Sequence, residues 1–254
     1  MYKDKFATEI SLTTRDSMFS GAISCLQYQQ GYRFSVDAVL TAHFYAPKKD
    51  ESVLDLGAGC GIIGLIMMYR WGDRIKRIQA VEYQPQLCDL SQANFEENGF
   101  SEKCSCINGD VTRILDVVDP ESFSLVVCNP PYYGLESGRK NLDDECLVAR
   151  HLVTARLDDF THAASQAVRN RGNAVFIYPA ELVTALLTSL SRVRLEIKQM
   201  QFVFSYPSPS LEAKLVLVRC VKNGGVGCKI SAPFYIYTEK NGRFSNEMAK
   251  LYLP

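Results

Sequence analysis

The sequence predicts an α/β fold: an open, mostly parallel sheet flanked by helices, with a C-terminal antiparallel hairpin. Three observations carry this. Between residues 52 and 190, short apolar runs alternate with segments of helical pattern, the rhythm of strands joined by crossover helices. A glycine-rich turn, Gly57-Ala58-Gly59-Cys60-Gly61, separates the first run from its helix. Beyond residue 193 the rhythm changes to two long β-like runs, 194–204 and 211–221, joined by the Pro/Ser stretch SYPSPS, which reads as a hairpin.

Residues 1–50 read as a leader with one short amphipathic element, and 51–254 as the α/β domain. Residues 52–56 (SVLDL) form a strand and 62–71 an apolar helix. Residues 77–82 (RIQAVE) form the second strand. The helix over 85–98 has Pro85 in its first turn and Gly99 past its end, the usual asymmetry of helix termini. Strands follow at 104–108 and 123–128, the latter stopped by Asn129-Pro130-Pro131. A helix over 152–169, a strand over 173–178 and a helix over 181–190 complete the series. Ligands of such sheets sit at the carboxyl ends of the strands. That rule places 55–61, Glu82, Asp110 and 129–132 along one rim.

Composition sets the outer limits. The 254 residues are 47% hydrophobic and 22% charged, an ordinary globular balance that excludes a mostly disordered chain. The apolar run 62–69 is eight residues long, against about 20 for a membrane-spanning helix. The first ten residues are charged and lack an apolar core, so no secretory signal is expected and a cytoplasmic location is. Nine cysteines occur without a CxxC pair, and free thiols are expected. Cys104 and Cys106 share one face of their strand as buried thiols. His43, His151 and His162 lack ligand spacing, so no metal site is expected. Net charge is zero but uneven. Residues 1–128 hold 12 Lys and Arg against 17 acids, whereas 161–254 hold 12 against 5. A polyanion would meet the C-terminal portion; a basic face with no partner fits the same count.

The run Asp55-Leu56-Gly57-Ala58-Gly59-Cys60-Gly61 is the first chemical signal. Glycines let the loop turn sharply and let a ligand touch backbone, and the following helix offers unpaired N–H groups. Gly59-Cys60-Gly61-Ile62-Ile63-Gly64 also satisfies GxGxxG, which keeps a nicotinamide or flavin ligand open. Glu82, at the end of the second strand, can accept from ribose hydroxyls of either ligand. Residues 53–61 resemble the first motif of class I S-adenosylmethionine-dependent methyltransferases, and Val81-Glu82 their second. That resemblance implies a Rossmann-like fold and S-adenosylmethionine as cofactor. It places Asp55, Gly57, Ala58, Gly59, Gly61, Glu82 and Tyr83 around the cofactor. Asn108-Gly109-Asp110 resembles the position flanking the adenine; Asp110 serves equally as a helix N-cap.

Asn129-Pro130-Pro131-Tyr132 is more informative. Two prolines stiffen the chain and keep it out of helix. The Asn129 side-chain oxygen and the Pro130 carbonyl are two acceptors, able to grip both hydrogens of one amino group. Tyr132 can stack on the ring that bears it. The segment is similar to the (D/N)PP(Y/F) motif of methyltransferases acting on adenine N6, cytosine N4, guanine N2 or glutamine N5. The resemblance implies catalytic roles for Asn129, Pro130, Pro131 and Tyr132.

The flanks narrow the family. Residues 30–44 (QGYRFSVDAVLTAHF) resemble a segment of bacterial tRNA1(Val) adenine-37 N6-methyltransferases, with Thr41 where the family usually has Leu. In that resemblance Arg33, Phe34 and Asp37 line the cofactor pocket. Tyr133-Gly134, Ala149-Arg150-His151, residues 212–218 and residues 233–237 also look like this family, so the likeness runs from about 17 to 252. It implies acceptor contacts from Tyr132, Tyr133, Arg150 and His151. The polar stretch 134–150 is long enough to be a binding loop, expected to order on RNA.

The expected function is methyl transfer to adenine N6 in tRNA, at position 37 of the anticodon loop by resemblance. A loop base can be splayed into a pocket at low cost, and the basic C-terminal portion would hold the backbone. Two alternatives stand beside it. One is the same chemistry on rRNA guanine or adenine, or on a protein glutamine, although glutamine enzymes usually carry a longer helical N-terminal domain than the 50-residue leader. The other is a non-catalytic RNA-binding module on this scaffold.

Overall fold

The computed structural model describes residues 13–30, 33–132 and 155–254. Tyr133, Arg150, His151 and the loop 134–150 lie outside the described residues. An antiparallel ribbon opens the chain, β1 (Thr13–Met18) against β2 (Ile23–Tyr28), followed by helix α1 (Val36–Phe44). Then come β3 (Glu51–Leu56), α2 (Ile62–Trp71), β4 (Ile75–Glu82), α3 (Pro85–Glu97), β5 (Cys104–Asn108), a 3-10 turn (Val111–Asp116) and β6 (Phe123–Cys128). The remainder is α4 (Leu157–Ala167), β7 (Val168–Pro179), α5 (Val183–Arg192), β8 (Leu195–Phe204), β9 (Leu215–Lys222), β10 (Lys229–Ile230), β11 (Phe234–Tyr235) and α6 (Asn246–Lys250).

The main sheet has the order β10-β8-β9-β7-β6-β3-β4-β5, with β11 also on β8. Strands β3 to β7 pair in parallel, while β9 runs antiparallel to both β7 and β8. Strand order reverses between β3 and β6, the crevice where ligands of open α/β sheets bind. The central strands are apolar on both faces because both are covered. On one side Val53, Ile78, Leu125 and Val127 pack with α1, α2, α3 and β2. On the other, Leu54, Leu56, Val126 and Phe176 pack with α4, α5 and the 3-10 turn. A third cluster joins α1 to the C-terminal segment through Leu40, Ile236 and Met248.

The expected architecture is present, with differences at its margins. The leader holds a β-ribbon as well as its helix. The helix expected over 152–169 ends at Ala167, and β7 starts at once with Val168; residues 152–154 are outside the described set. Residues 173–178 are the central part of that longer strand. The second hairpin strand starts at Leu215 rather than 211, where the Lys214 N–H donates to the Val203 carbonyl at 2.8 Å. The eight described cysteines are free thiols; Cys104 is buried and Cys106 half-buried.

The ribbon is fastened by two asparagines one turn apart, Asn94 on α3 and Asn98 at its C-terminal cap. The Asn94 amide accepts from Leu26 N–H at 2.7 Å and donates to the Leu26 and Cys60 carbonyls at 3.0 and 2.9 Å. Asn98 accepts from Ser24 N–H at 2.9 Å and donates to its carbonyl at 2.7 Å. These side chains act as a surrogate strand along the edge of β2. Asn94 is fully buried, so truncation leaves a buried N–H and two carbonyls short of a partner. Asn94→Ala is expected to lose about 2–4 kcal/mol in urea unfolding, and a loss under about 0.5 kcal/mol would contradict the role.

Candidate functional site

The turn after β3 is built from three left-handed residues, Gly57 at φ +70°, Gly59 at +57° and Gly61 at +80°. A side chain is strained at each. The surroundings assign them different duties. A Cβ on Gly61 would collide with Ser91 and Phe95 of α3, and one on Gly57 would press on the Phe160 ring at 3.1 Å. Nothing lies within 4 Å of a Cβ on Gly59, so its backbone is left open to a ligand. Gly57 N–H donates to the Val81 carbonyl at 2.9 Å, and Gly59 N–H to Glu82 Oε2 at 2.9 Å. Glu82 Oε1 accepts from Gln84 N–H at 2.9 Å. The second strand end thus clamps the turn.

A cavity of about 420 Å³ opens over this turn, within the usual range for small-molecule sites. Its lining brings together Phe34, Gly57, Ala58, Gly59, Glu82, Tyr83 and Asp110 with Asn129, Pro130, Pro131 and Tyr132. Asp110 faces the cavity while capping the 3-10 turn, accepting from Thr112 N–H at 2.9 Å. Four residues expected at the cofactor lie outside the lining, among them Asp55, which is buried beneath the turn. Arg33 turns to the ribbon, donating to Thr14 Oγ1 and Asp16 Oδ2 at 2.6 Å each. Gly61 is a packing position. Asp37 meets the Tyr132 hydroxyl, its Oδ2 accepting at 3.0 Å. Gln27, Tyr28 and Leu87 also line the cavity, and sequence reasoning missed them. They come from the ribbon and α3, where no local pattern marks a ligand wall.

Two buried acids dominate the electrostatics. Asp55 is 1% exposed, and neither carboxylate oxygen makes a well-formed hydrogen bond. Burial, and then the charge of Glu82, raise its pKa to about 7, with the Gly64 N–H working the other way. Burial also raises Glu82, against the pull of the Gln84, Gly59 and Tyr83 N–H groups. Neither acid has an ion-pair partner among the described residues. Glu82 lines the cavity and Asp55 lies buried nearby, and this negative charge suits a ligand carrying positive charge. The Asn129 side-chain oxygen accepts from the Tyr132 hydroxyl at 2.8 Å, so that hydroxyl bridges Asn129 and Asp37. The Tyr132 ring meets Tyr178 edge-on, centroids 5.6 Å apart. Among the described residues no cluster of three metal-ligating side chains occurs, and no helix is long and apolar enough to cross a membrane.

The Asp55 shift has a sign that can be measured. An acid whose pKa is higher folded than unfolded binds more protons when folded, so stability falls as pH rises between the two values. Without ligand, stability is expected to decline by a few kcal/mol from about pH 4 to about pH 7, with Glu82 adding in the same direction. Asp55→Asn should flatten that slope in denaturant titrations at each pH. An unchanged slope would show Asp55 already stabilised as the anion.

Comparison with known proteins places this geometry. Residues 35–178 match the family model described as methyltransferase small domain. Curated relatives named tRNA1(Val) (adenine(37)-N6)-methyltransferase include one from Shewanella sp. (strain MR-4), 24% identical over 74% of this chain and 78% of its own. One from Shewanella baltica is 23% identical over 87% and 90%, and one from Aliivibrio fischeri 28% over 59% and 61%. Among solved structures, a predicted O-methyltransferase from Agrobacterium tumefaciens superposes with a TM-score of 0.68 at 21% identity, covering 85% of this chain and 95% of that one. A geranyl diphosphate methyltransferase in complex with S-adenosylmethionine gives 0.51 at 11%, covering 74% and 84%. The fold is that of the Rossmann-like methyltransferases, and the chain belongs to the methyltransferase small domain family.

Proposed function

We propose that the protein transfers a methyl group to the exocyclic N6 of an adenine in tRNA. S-adenosylmethionine is its cofactor, consistent with the family and with neighbours solved with it or its product bound. Two features of the cavity suit that molecule: the Glu82 carboxylate in its lining, with unpartnered Asp55 buried nearby, and the open backbone at Gly59. Gly57, Ala58, Gly59, Glu82, Tyr83 and Asp110 would hold it, with Phe34 against one side. When bound, it supplies a methyl group already activated on a sulfonium.

The observation that carries the reading is that Asn129-Pro130-Pro131-Tyr132 and the glycine turn line one cavity. An exocyclic amine is a poor nucleophile because its lone pair is delocalised into the ring. Asn129 Oδ1 and the Pro130 carbonyl accept its two hydrogens, which favours a pyramidal nitrogen with a freer lone pair. Tyr132 stacks on the purine. The task of these residues is to hold the amine in near-attack geometry, about 3–3.5 Å from the carbon it attacks, and to stabilise charge as it develops. No strong base is needed, since the alkylated nitrogen is acidic while cationic. The tRNA acceptor draws support from the names of the curated relatives and from the excess of 12 cations over 5 acids in residues 161–254. Arg150, His151 and Tyr133, outside the described residues, are proposed to contact the RNA.

The test is labelled methyl transfer to total tRNA from a strain lacking the enzyme, followed by nucleoside analysis. Label in N6-methyladenosine is expected; label in guanosine, or in protein alone, would overturn the acceptor. Asn129→Ala should lower turnover by about 100-fold or more, the scale of losing one preorganised partner of the transition state. Its calorimetric affinity for the cofactor should stay unchanged. Equal loss of both would remove Asn129 from the acceptor site.

A further inference from the structure

The rim carries aromatic side chains well past the cavity. Tyr178, which touches Tyr132, is in register with Val216 of β9, and Val216 with Phe202 of β8. Two residues on, Phe204 pairs with Tyr235 of β11, their rings 5.8 Å apart. Because β8 and β11 run parallel to β7, these ends share the rim of the site. Three strand spacings separate β7 from β11, about 14 Å.

Beyond Tyr235 the chain folds back on itself, with Tyr237 bridged to Phe244. The Tyr237 and Phe244 rings stack at 5.5 Å and 26°, and Phe244 stacks on Tyr252 at 5.4 Å and 10°. Tyr237 is 36% and Phe244 37% exposed. The stack is fixed from beneath. Ile236 and Met248 are buried, and the Ser245 hydroxyl donates to the Tyr235 carbonyl at 2.6 Å and accepts from Met248 N–H at 3.0 Å. Ile236 and Met248 belong to the cluster that seats Leu40 of α1, the helix that carries Asp37. The turn between the rings holds Lys240 and Arg243, both exposed and without an ion pair among the described residues.

We propose that this ledge is a second RNA contact: a base flanking the methylated adenine stacks on Tyr237, the end ring of the stack, and the neighbouring phosphates meet Lys240 and Arg243. The inference rests on the RNA reading above and adds where the strand runs. Exposed rings offer a π-face to any base, and cations beside them serve the backbone.

The experiment uses a labelled RNA hairpin with an adenosine in its single-stranded loop, titrated into the full chain by fluorescence anisotropy. Tyr237→Ala is expected to weaken binding about tenfold, the cost of one lost stack, and Tyr237→Phe to retain it. Cofactor affinity should be unaffected by either. Arg243→Ala should reduce the slope of log affinity against log salt by about 0.7–1. Because Tyr237→Ala can also loosen the stack, Lys240→Ala/Arg243→Ala, confined to the exposed turn, is measured beside it with thermal unfolding as the fold control. Unchanged affinity and salt slope in that double variant overturn the ledge while leaving methyl transfer to RNA standing. A wild-type chain that binds no RNA yet methylates protein overturns both.

Discussion

The turn between β3 and α2 is the constraint on which the site depends. Three alternating left-handed residues make a sharp bend that exposes backbone, and such a bend does not hold itself. It is held from below by the Val81 carbonyl, from the side by the Glu82 carboxylate and from behind by the Asn94 amide on Cys60. Each of these anchors lies on another element, so the bend forms only when β4 and α3 are in place. The cost is visible in Asp55, whose buried carboxylate has no well-formed partner. A cationic ligand above the turn would offset that cost, and this links binding to stability in a way that a neutral ligand would not.

Asn94 also extends the constraint outward. The same amide that fixes Cys60 fixes Leu26, so the ribbon and the turn share an anchor. Gln27 and Tyr28 of that ribbon then line the cavity, and the Gln27 side chain accepts from Phe34 N–H at 2.8 Å. From there α1 runs across the rim, with Asp37 reaching Tyr132 and Val36, Leu40 and Phe44 packing on the C-terminal cluster. The leader is therefore built into the wall of the cavity, and a movement of α1 would be felt both at the acceptor loop and at the ring stack.

What the sequence made legible follows the same physics. The central strands were readable because a parallel sheet covered on both faces needs continuous apolar runs, and SVLDL and FSLVVC have them. The rim followed from strand direction alone, which brought 55–61, Glu82, Asp110 and 129–132 together. The ribbon was not readable. Its strands, TTRDSM and ISCLQY, are polar or mixed, and β2 is completed by asparagine side chains from α3 and its cap rather than by a third strand. The boundary at 167–168 was hidden because no glycine or proline separates α4 from β7; the chain leaves the helix straight into the sheet, with Arg171 at φ +63° in the irregular pairing that follows. Arg33 and Asp37 were assigned by resemblance, and their partners, Asp16 and Tyr132, are tertiary contacts that no spacing encodes.

The hydroxyl of Tyr132 shows how the acceptor loop can be both satisfied and available. Its acceptors include Asn129 Oδ1 at 2.8 Å and Asp37 Oδ2 at 3.0 Å. A hydroxyl donates to one of them at a time. While it donates to Asn129, it uses one of the two lone pairs of the oxygen proposed to hold the substrate amine. An arriving amine can use the other lone pair or displace the hydroxyl, which keeps a second acceptor, and a carboxylate makes the stronger bond of the two. The exchange therefore leaves no polar group orphaned at any stage, which is the condition for low cost in a partly enclosed site. The Asp37–Tyr132 contact thus links α1 to the loop 129–132.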